Sequence, residues 1–136
     1  MDSETTVRLI APLLALQFAS FGWRINREIT VGDQRRRTWF PLPDYINVIS
    51  MLVVVTFAII APLIHHKMEA AEGIVIGVAY VFLAFHPITM AAHYRLWSKA
   101  GRSIYPGDYP WITGQELASA AVSICFATFV GFMLAR

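Results

Sequence analysis

Four stretches of this chain, 9–23, 45–64, 73–92 and 117–134, are long, apolar and almost free of charge. A helix needs about 20 apolar residues to cross a bilayer, and the second, third and fourth stretches meet that length. The first holds roughly 15, bracketed by Arg8 and Arg24, whose side chains can snorkel towards the two interfaces. A cleaved signal peptide would carry lysines where Asp2 and Glu4 stand, and "QFASFGWR" offers no small-x-small cleavage site, so the first stretch is expected to be retained. The fold class that follows is all-α. It is an integral membrane four-helix bundle of one domain, 1–136, with transmembrane helices near 6–23, 45–64, 72–93 and 114–134.

Charge placement gives an orientation. Arg24, Arg27, Arg35, Arg36 and Arg37 fall between spans one and two, and Arg95, Lys99 and Arg102 between spans three and four. The other side keeps Arg8, Lys67 and Arg136. Short loops rich in Lys and Arg stay in the cytoplasm, which puts both termini on the non-cytoplasmic side. Trp23, Trp39, Trp97 and Trp111 all flank spans on the cytoplasmic side, at the headgroup level where an indole is half wet. The expected location is the bacterial inner (plasma) membrane.

The loops carry helix-start signals. In "FPLPDYI" Asp44 stands at an N-cap position, and "WITGQEL" reads as a capping box of Thr113 with Glu116. Both loops end in a Pro- and aromatic-rich segment, a weak similarity that hints at a duplicated helix hairpin but that convergent interface chemistry also explains. The short "HHKME" connection makes spans two and three antiparallel neighbours, with Pro62 ending the second. Small residues at four-residue spacing mark helix contact faces in lipid. They recur as Ser119, Ser123, Ala127 and Gly131, as Gly73 and Gly77, and as Ala11, Ala15 and Ala19. Some of these faces close the bundle; one left over would serve a second copy or another subunit.

Measured inward from the tryptophans at about 1.5 Å per residue, Asn47, His93 and Glu116 lie within a turn of the cytoplasmic interface. Gln17 and His86 lie deeper, with Ser50 and Thr89 between, and the outer half reads as dry beyond Thr56 and Thr128. Ionisable groups inside a membrane normally face a bundle interior or a wet cavity. The expected site is therefore a polar pocket lined by Gln17, Asn47, His86, His93 and Glu116. Arg35, Arg36 and Arg37 would form a rim attractive to anionic headgroups. A polar lining over half the depth does not make a continuous ion path, so a pore would need a gate or an oligomer axis.

More specific chemistry finds little support. His86 and His93, two turns apart on one helix face, cannot hold one haem iron from opposite sides. His65, His66, Glu69 and Glu72 have spacings that suit a metal, but also suit a solvated hairpin. Cys125, the single cysteine, lies among apolar neighbours where a thiol is inert. Pro87 removes one backbone donor beside His86 and disturbs the turn behind it. Phosphate loops, nucleophile elbows and HExxH motifs do not occur, and no cofactor or metal is expected.

In size and span count the chain is similar to the small trimeric transferases of the MAPEG class, whose active site lies towards the cytoplasmic leaflet. The Arg-x-x-x-Asn-x-x-Glu pattern of that class is missing from span two, "DYINVISMLVV", so the resemblance assigns no residue here. Two function classes remain. The first is a non-enzymatic membrane protein acting as a homo-oligomer or as a subunit of a larger membrane complex. The second is a membrane enzyme, transporter or channel handling a lipophilic or anionic ligand at the inner leaflet. Expected partners are membrane lipids, further copies or other membrane subunits; a formal charge of +2 gives no reason to expect nucleic acid.

Overall fold

Helical periodicity does not stop at Arg24, and neither does the first helix. The computed structural model describes residues 3–33, 40–65, 70–93 and 112–136. Helix α1 runs over Ser3–Asp33, 31 residues or about 46 Å. That exceeds the roughly 30 Å of a hydrocarbon core, so α1 extends beyond any span it makes. Arg24 is 1% exposed, so it is an interior residue and not the snorkelling boundary expected from its position.

The second rod is continuous but changes its winding. Helix α2 (Leu42–Val54) passes into a π-helical segment, Val55–Ile60, and then into α3 (Ala61–His65). Pro62 was expected to end this span; the helix continues through it. Proline lacks an N–H and its ring crowds the carbonyl four residues back, here that of Ala58. The wider π turns, in which Ala61 N–H reaches the Thr56 carbonyl, accommodate that ring without breaking the rod. The start of α2 also differs from expectation. Pro41 is the N-cap, Pro43 lies in the first turn, and Asp44 is one residue further inside with its carboxylate engaged elsewhere.

Helix α4 spans Ala70–His93 and α5 spans Gly114–Leu134. Pro87 is accommodated inside α4, on an exposed position. The start of α5 is the capping box read from "WITGQEL": the Thr113 hydroxyl accepts the Glu116 N–H at 3.0 Å, and the Glu116 carboxylate accepts the Thr113 N–H at 3.3 Å. The regular structure among the described residues is thus all-helical, with four helical segments there long and apolar enough to cross a membrane: Glu4–Thr30, Leu42–Ile64, Ala71–His93 and Gly114–Leu134.

Helix α4 packs against α1, α2 and α5, most extensively against α5. The small residues explain that seam. Ser119, Ser123 and Ala127 are buried, and a Cβ on Gly131 would sit 3.4 Å from Val78 Cγ2. A Cβ on Gly77 would fall on the Leu134 side chain. Gly77 of α4 and the α5 row therefore serve each other, whereas a Cβ on Gly73 would meet nothing within 4 Å and Ala11, Ala15 and Ala19 of α1 are exposed. A dry core of Ile10, Leu13, Val54, Ala58, Ile76 and Ala79 fills the middle. Large apolar side chains such as Phe57, Leu63 and Phe129 cover the outside, the distribution expected of a surface that meets lipid.

Candidate functional site

On α1 the residues Gln17, Ser20 and Arg24 follow one another at spacings of three and four, which stacks them on one helix face. That face meets the N-terminal half of α2, where Asp44, Asn47 and Ser50 repeat the same trick at a spacing of three. The result is a polar seam. Arg24 Nε donates to Asp44 Oδ2 at 2.8 Å, with both side chains 1% exposed, and Arg24 also pairs with Glu28 at 2.9 Å. Gln17 Nε2 donates to Ser50 Oγ at 3.2 Å, and Asn47 Nδ2 donates to the Gln17 carbonyl at 3.3 Å.

Helix α4 closes the seam with His86. Its Nε2 lies 3.1 Å from Asp44 Oδ1 and its Nδ1 lies 3.1 Å from Ser20 Oγ. A carboxylate only accepts, so Nε2 carries the proton facing Asp44; in the neutral ring Nδ1 then accepts from the Ser20 hydroxyl. Arg24, Asp44 and His86 are thereby joined through one carboxylate. An isolated buried charge would be expelled from such a site, and the pairing of Arg24 with Asp44 is what makes its burial tolerable.

A second group lies at the same end, around Glu116. Its carboxylate accepts the Leu42 N–H at 2.8 Å and approaches His93 Nδ1 at 2.9 Å, besides the Thr113 N–H of its own cap. The first turns of α2 and α5 and the last residue of α4 thus meet on one side chain that is 0% exposed. A carboxylate at two helix N-termini is also favourably placed with respect to both helix dipoles. The Thr113 hydroxyl donates to the Ala92 carbonyl at 3.1 Å, tying the end of α4 to the start of α5.

Each of the five residues expected to line a pocket is in the helix interior or, for His93, half-buried at its edge. The structure divides them between two hydrogen-bonded groups, Gln17, Asn47 and His86 in one and His93 and Glu116 in the other. Gln17 Oε1 and Asn47 Oδ1 are buried acceptors without a protein donor. Two open grooves lie elsewhere and are apolar. One, about 520 Å³, runs between α1 and the π segment past Ile10, Leu14 and Ile59; the other, about 430 Å³, lies among α2, α4 and α5 past Ile49, Val75 and Phe82. None of the five residues lines either groove.

Arg35, Arg36 and Arg37 lie outside the described residues, as do Trp39, Trp97, Trp111, His66 and Glu69. Among the described residues no group of three or more His, Cys, Asp or Glu is arranged to hold a metal ion. The half of the bundle away from Glu116 is less dry than the sequence suggested: Thr6 and Glu72 are 3% and 4% exposed, and Tyr80 donates to the Leu9 carbonyl at 2.7 Å. Sequence reasoning missed Ser20, Arg24 and Asp44. The spacing of Gln17, Ser20 and Arg24 was a usable signal, whereas Asp44 carried the pattern of a cap.

No protein-family model, curated protein or solved structure matches this chain. The similarity to the MAPEG class therefore remains one of size and span count.

Proposed function

We propose that this is a four-span membrane bundle acting as a homo-oligomer or as a subunit of a larger membrane complex, with both termini on the non-cytoplasmic side. The observation that carries this reading is the division of small-residue faces. Gly77 of α4 and the row on α5 are taken up within the chain, whereas a Cβ on Gly73 would meet nothing within 4 Å and Ala11, Ala15 and Ala19 on α1 are exposed. A Cβ at Gly22, on the same outward side, would meet nothing within 4 Å. Close approach of helices in lipid uses such faces. The test is the mass of the complex purified in mild detergent, together with its co-purifying lipids and absorption spectrum. A mass of one chain with no companion subunit would end this reading. Cysteine substitutions at Glu4 and Arg136, labelled from either side of sealed vesicles, test the orientation; both must label from the non-cytoplasmic side.

A second reading, a membrane enzyme or transporter handling a lipophilic ligand at the tryptophan-bearing end, is favoured by one specific observation. A hydroxyl, an imidazole and a carboxylate from three helices are hydrogen-bonded in series there. A ligand or lipid that co-purifies with the protein and is lost on exchanging His86 or Gln17 for leucine would support it. Unchanged ligand content in both variants would end it.

A further inference from the structure

Several hydroxyl groups among the described residues do what hydroxyls do inside membrane helices. Ser119, Ser123, Thr89 and Thr128 each donate to a carbonyl three or four residues back in their own helix. The Ser20 hydroxyl instead meets an imidazole on another helix, 3.1 Å from His86 Nδ1. Behind that imidazole stands Asp44, 3.1 Å from Nε2, and Arg24 holds the other oxygen of Asp44 at 2.8 Å. Nucleophile, base and base-orienting carboxylate in hydrogen-bonded series is the arrangement that activates a serine. Here the carboxylate faces Nε2 and the serine faces Nδ1; either ring nitrogen can take up a proton.

The burial gradient suits the same chemistry. Asp44 and His86 are 1% and 7% exposed, whereas Ser20 is only half-buried. Ser20 also lies at a telling depth. Trp23, three residues on, is 61% exposed, which puts Ser20 about 4–5 Å along the helix from an interfacial marker. The ester carbonyls of lipids lie in that zone between headgroups and chains.

We propose that Ser20 is a nucleophile towards acyl esters at the membrane interface, with His86 as its general base and Asp44 as a positioning residue. This rests on the second reading above and gives it a reaction. As Ser20 Oγ bonds to the ester carbonyl carbon, its proton passes to His86 Nδ1. The imidazolium faces the Asp44 carboxylate, whose other oxygen is held by Arg24, and Glu28 partly balances the arginine charge that would otherwise oppose the imidazolium. The carbon–oxygen bond to the alcohol then breaks, and His86 returns the proton to the departing oxygen. Water then bonds to the acyl carbon as its proton passes to Nδ1; the carbon–Oγ bond breaks, Nδ1 returns that proton to Ser20 Oγ, and the carboxylic acid leaves.

The test uses the full chain in mild detergent, with two probes: a long-chain alkyl fluorophosphonate and a short, soluble one. The expected result is a covalent adduct on the peptide that contains Ser20, abolished in Ser20→Ala and slowed at least about 100-fold in His86→Gln. Both variants are compared at unchanged elution volume. Faster reaction with the long-chain probe assigns the ester to lipid, and faster reaction with the short probe assigns it to a soluble acyl ester; either supports the proposal. If His86→Gln does not fold, Ser20→Ala decides alone, because it removes one half-buried hydroxyl. The proposal is overturned if folded protein forms no adduct at Ser20, or if Ser20→Ala is labelled as fast as the parent. A ligand that co-purifies with an unreactive Ser20 overturns the nucleophile while leaving the pocket reading intact.

Discussion

The carboxylate of Glu116 accepts the backbone N–H of Leu42 at 2.8 Å across 74 positions of sequence. The first N–H groups of a helix have no partner within it, and α2, whose N-cap is a proline, has no side-chain cap of its own. Glu116 supplies one from α5 while completing the cap of α5 and reaching His93. One side chain thus satisfies donors on three helices.

Glu116→Ala removes all of these acceptors together and leaves buried N–H groups unmatched. The expected loss is about 2–3 kcal/mol, the range for leaving buried donors without their acceptor. Glu116→Gln keeps a carbonyl that can accept from Leu42 and is expected to lose about half as much. Unfolding in detergent, followed by tryptophan fluorescence, measures both; equal and negligible losses would show that the three-way contact holds nothing together.

Arg24 and Asp44 should behave as a coupled pair. Asp44→Asn leaves Arg24 buried beside a neutral group, at a cost of about 3 kcal/mol or more. Converting both at once, Arg24→Leu with Asp44→Leu, removes both charges of the pair, although Glu28 then loses its contact with Arg24; the double variant is expected to lose less stability than the sum of the two single changes. A double-mutant cycle under the same denaturing conditions decides it, and strictly additive losses would contradict the pairing.

Gly22 separates the fold from the assembly. With nothing within 4 Å of a Cβ built there, Gly22→Ala is expected to stabilise the single chain by about 0.5–1 kcal/mol. If α1 meets a second copy through its small-residue side, Ala15→Leu lowers the mass of the complex without altering helix content. Circular dichroism and mass measurement on the same samples give the two readouts, and an unchanged mass removes α1 from the proposed contact.

Tyr80→Phe deletes a 2.7 Å hydrogen bond to the Leu9 carbonyl. That carbonyl belongs to the interior of α1, so the loss is expected to stay near 1 kcal/mol. A loss several times larger, seen in the same unfolding assay, would mean that Tyr80 does more than join α1 to α4.

Much of the inner polar cluster was legible in the sequence because charged and amide residues in long apolar stretches need an interior. Gln17, Asn47, His86 and Glu116 stood out on that ground, and each is buried. The Thr113–Glu116 capping box was legible because its signature is local. Arg24 was misread because a lone arginine at the end of an apolar run looks the same whether it reaches for headgroups or for a carboxylate. Asp44 was misread because an aspartate after Pro-x-Pro has the local pattern of a cap. Pro62 was read as a stop because the π winding that accommodates it has no sequence pattern of its own.

The sequence by itself determined that this chain makes four long apolar helices, since hydrophobic length and helical rise are properties of each segment alone. It also determined which residues share a helix face, since spacings of three and four set that without reference to neighbours. Only the tertiary structure decided that Ser20 faces His86, that Asp44 answers both His86 and Arg24, and that Glu116 reaches Leu42. Those contacts depend on how each helix is rotated about its axis and how far it slides past the next. Packing of the apolar core and the small-residue seam between α4 and α5 sets both.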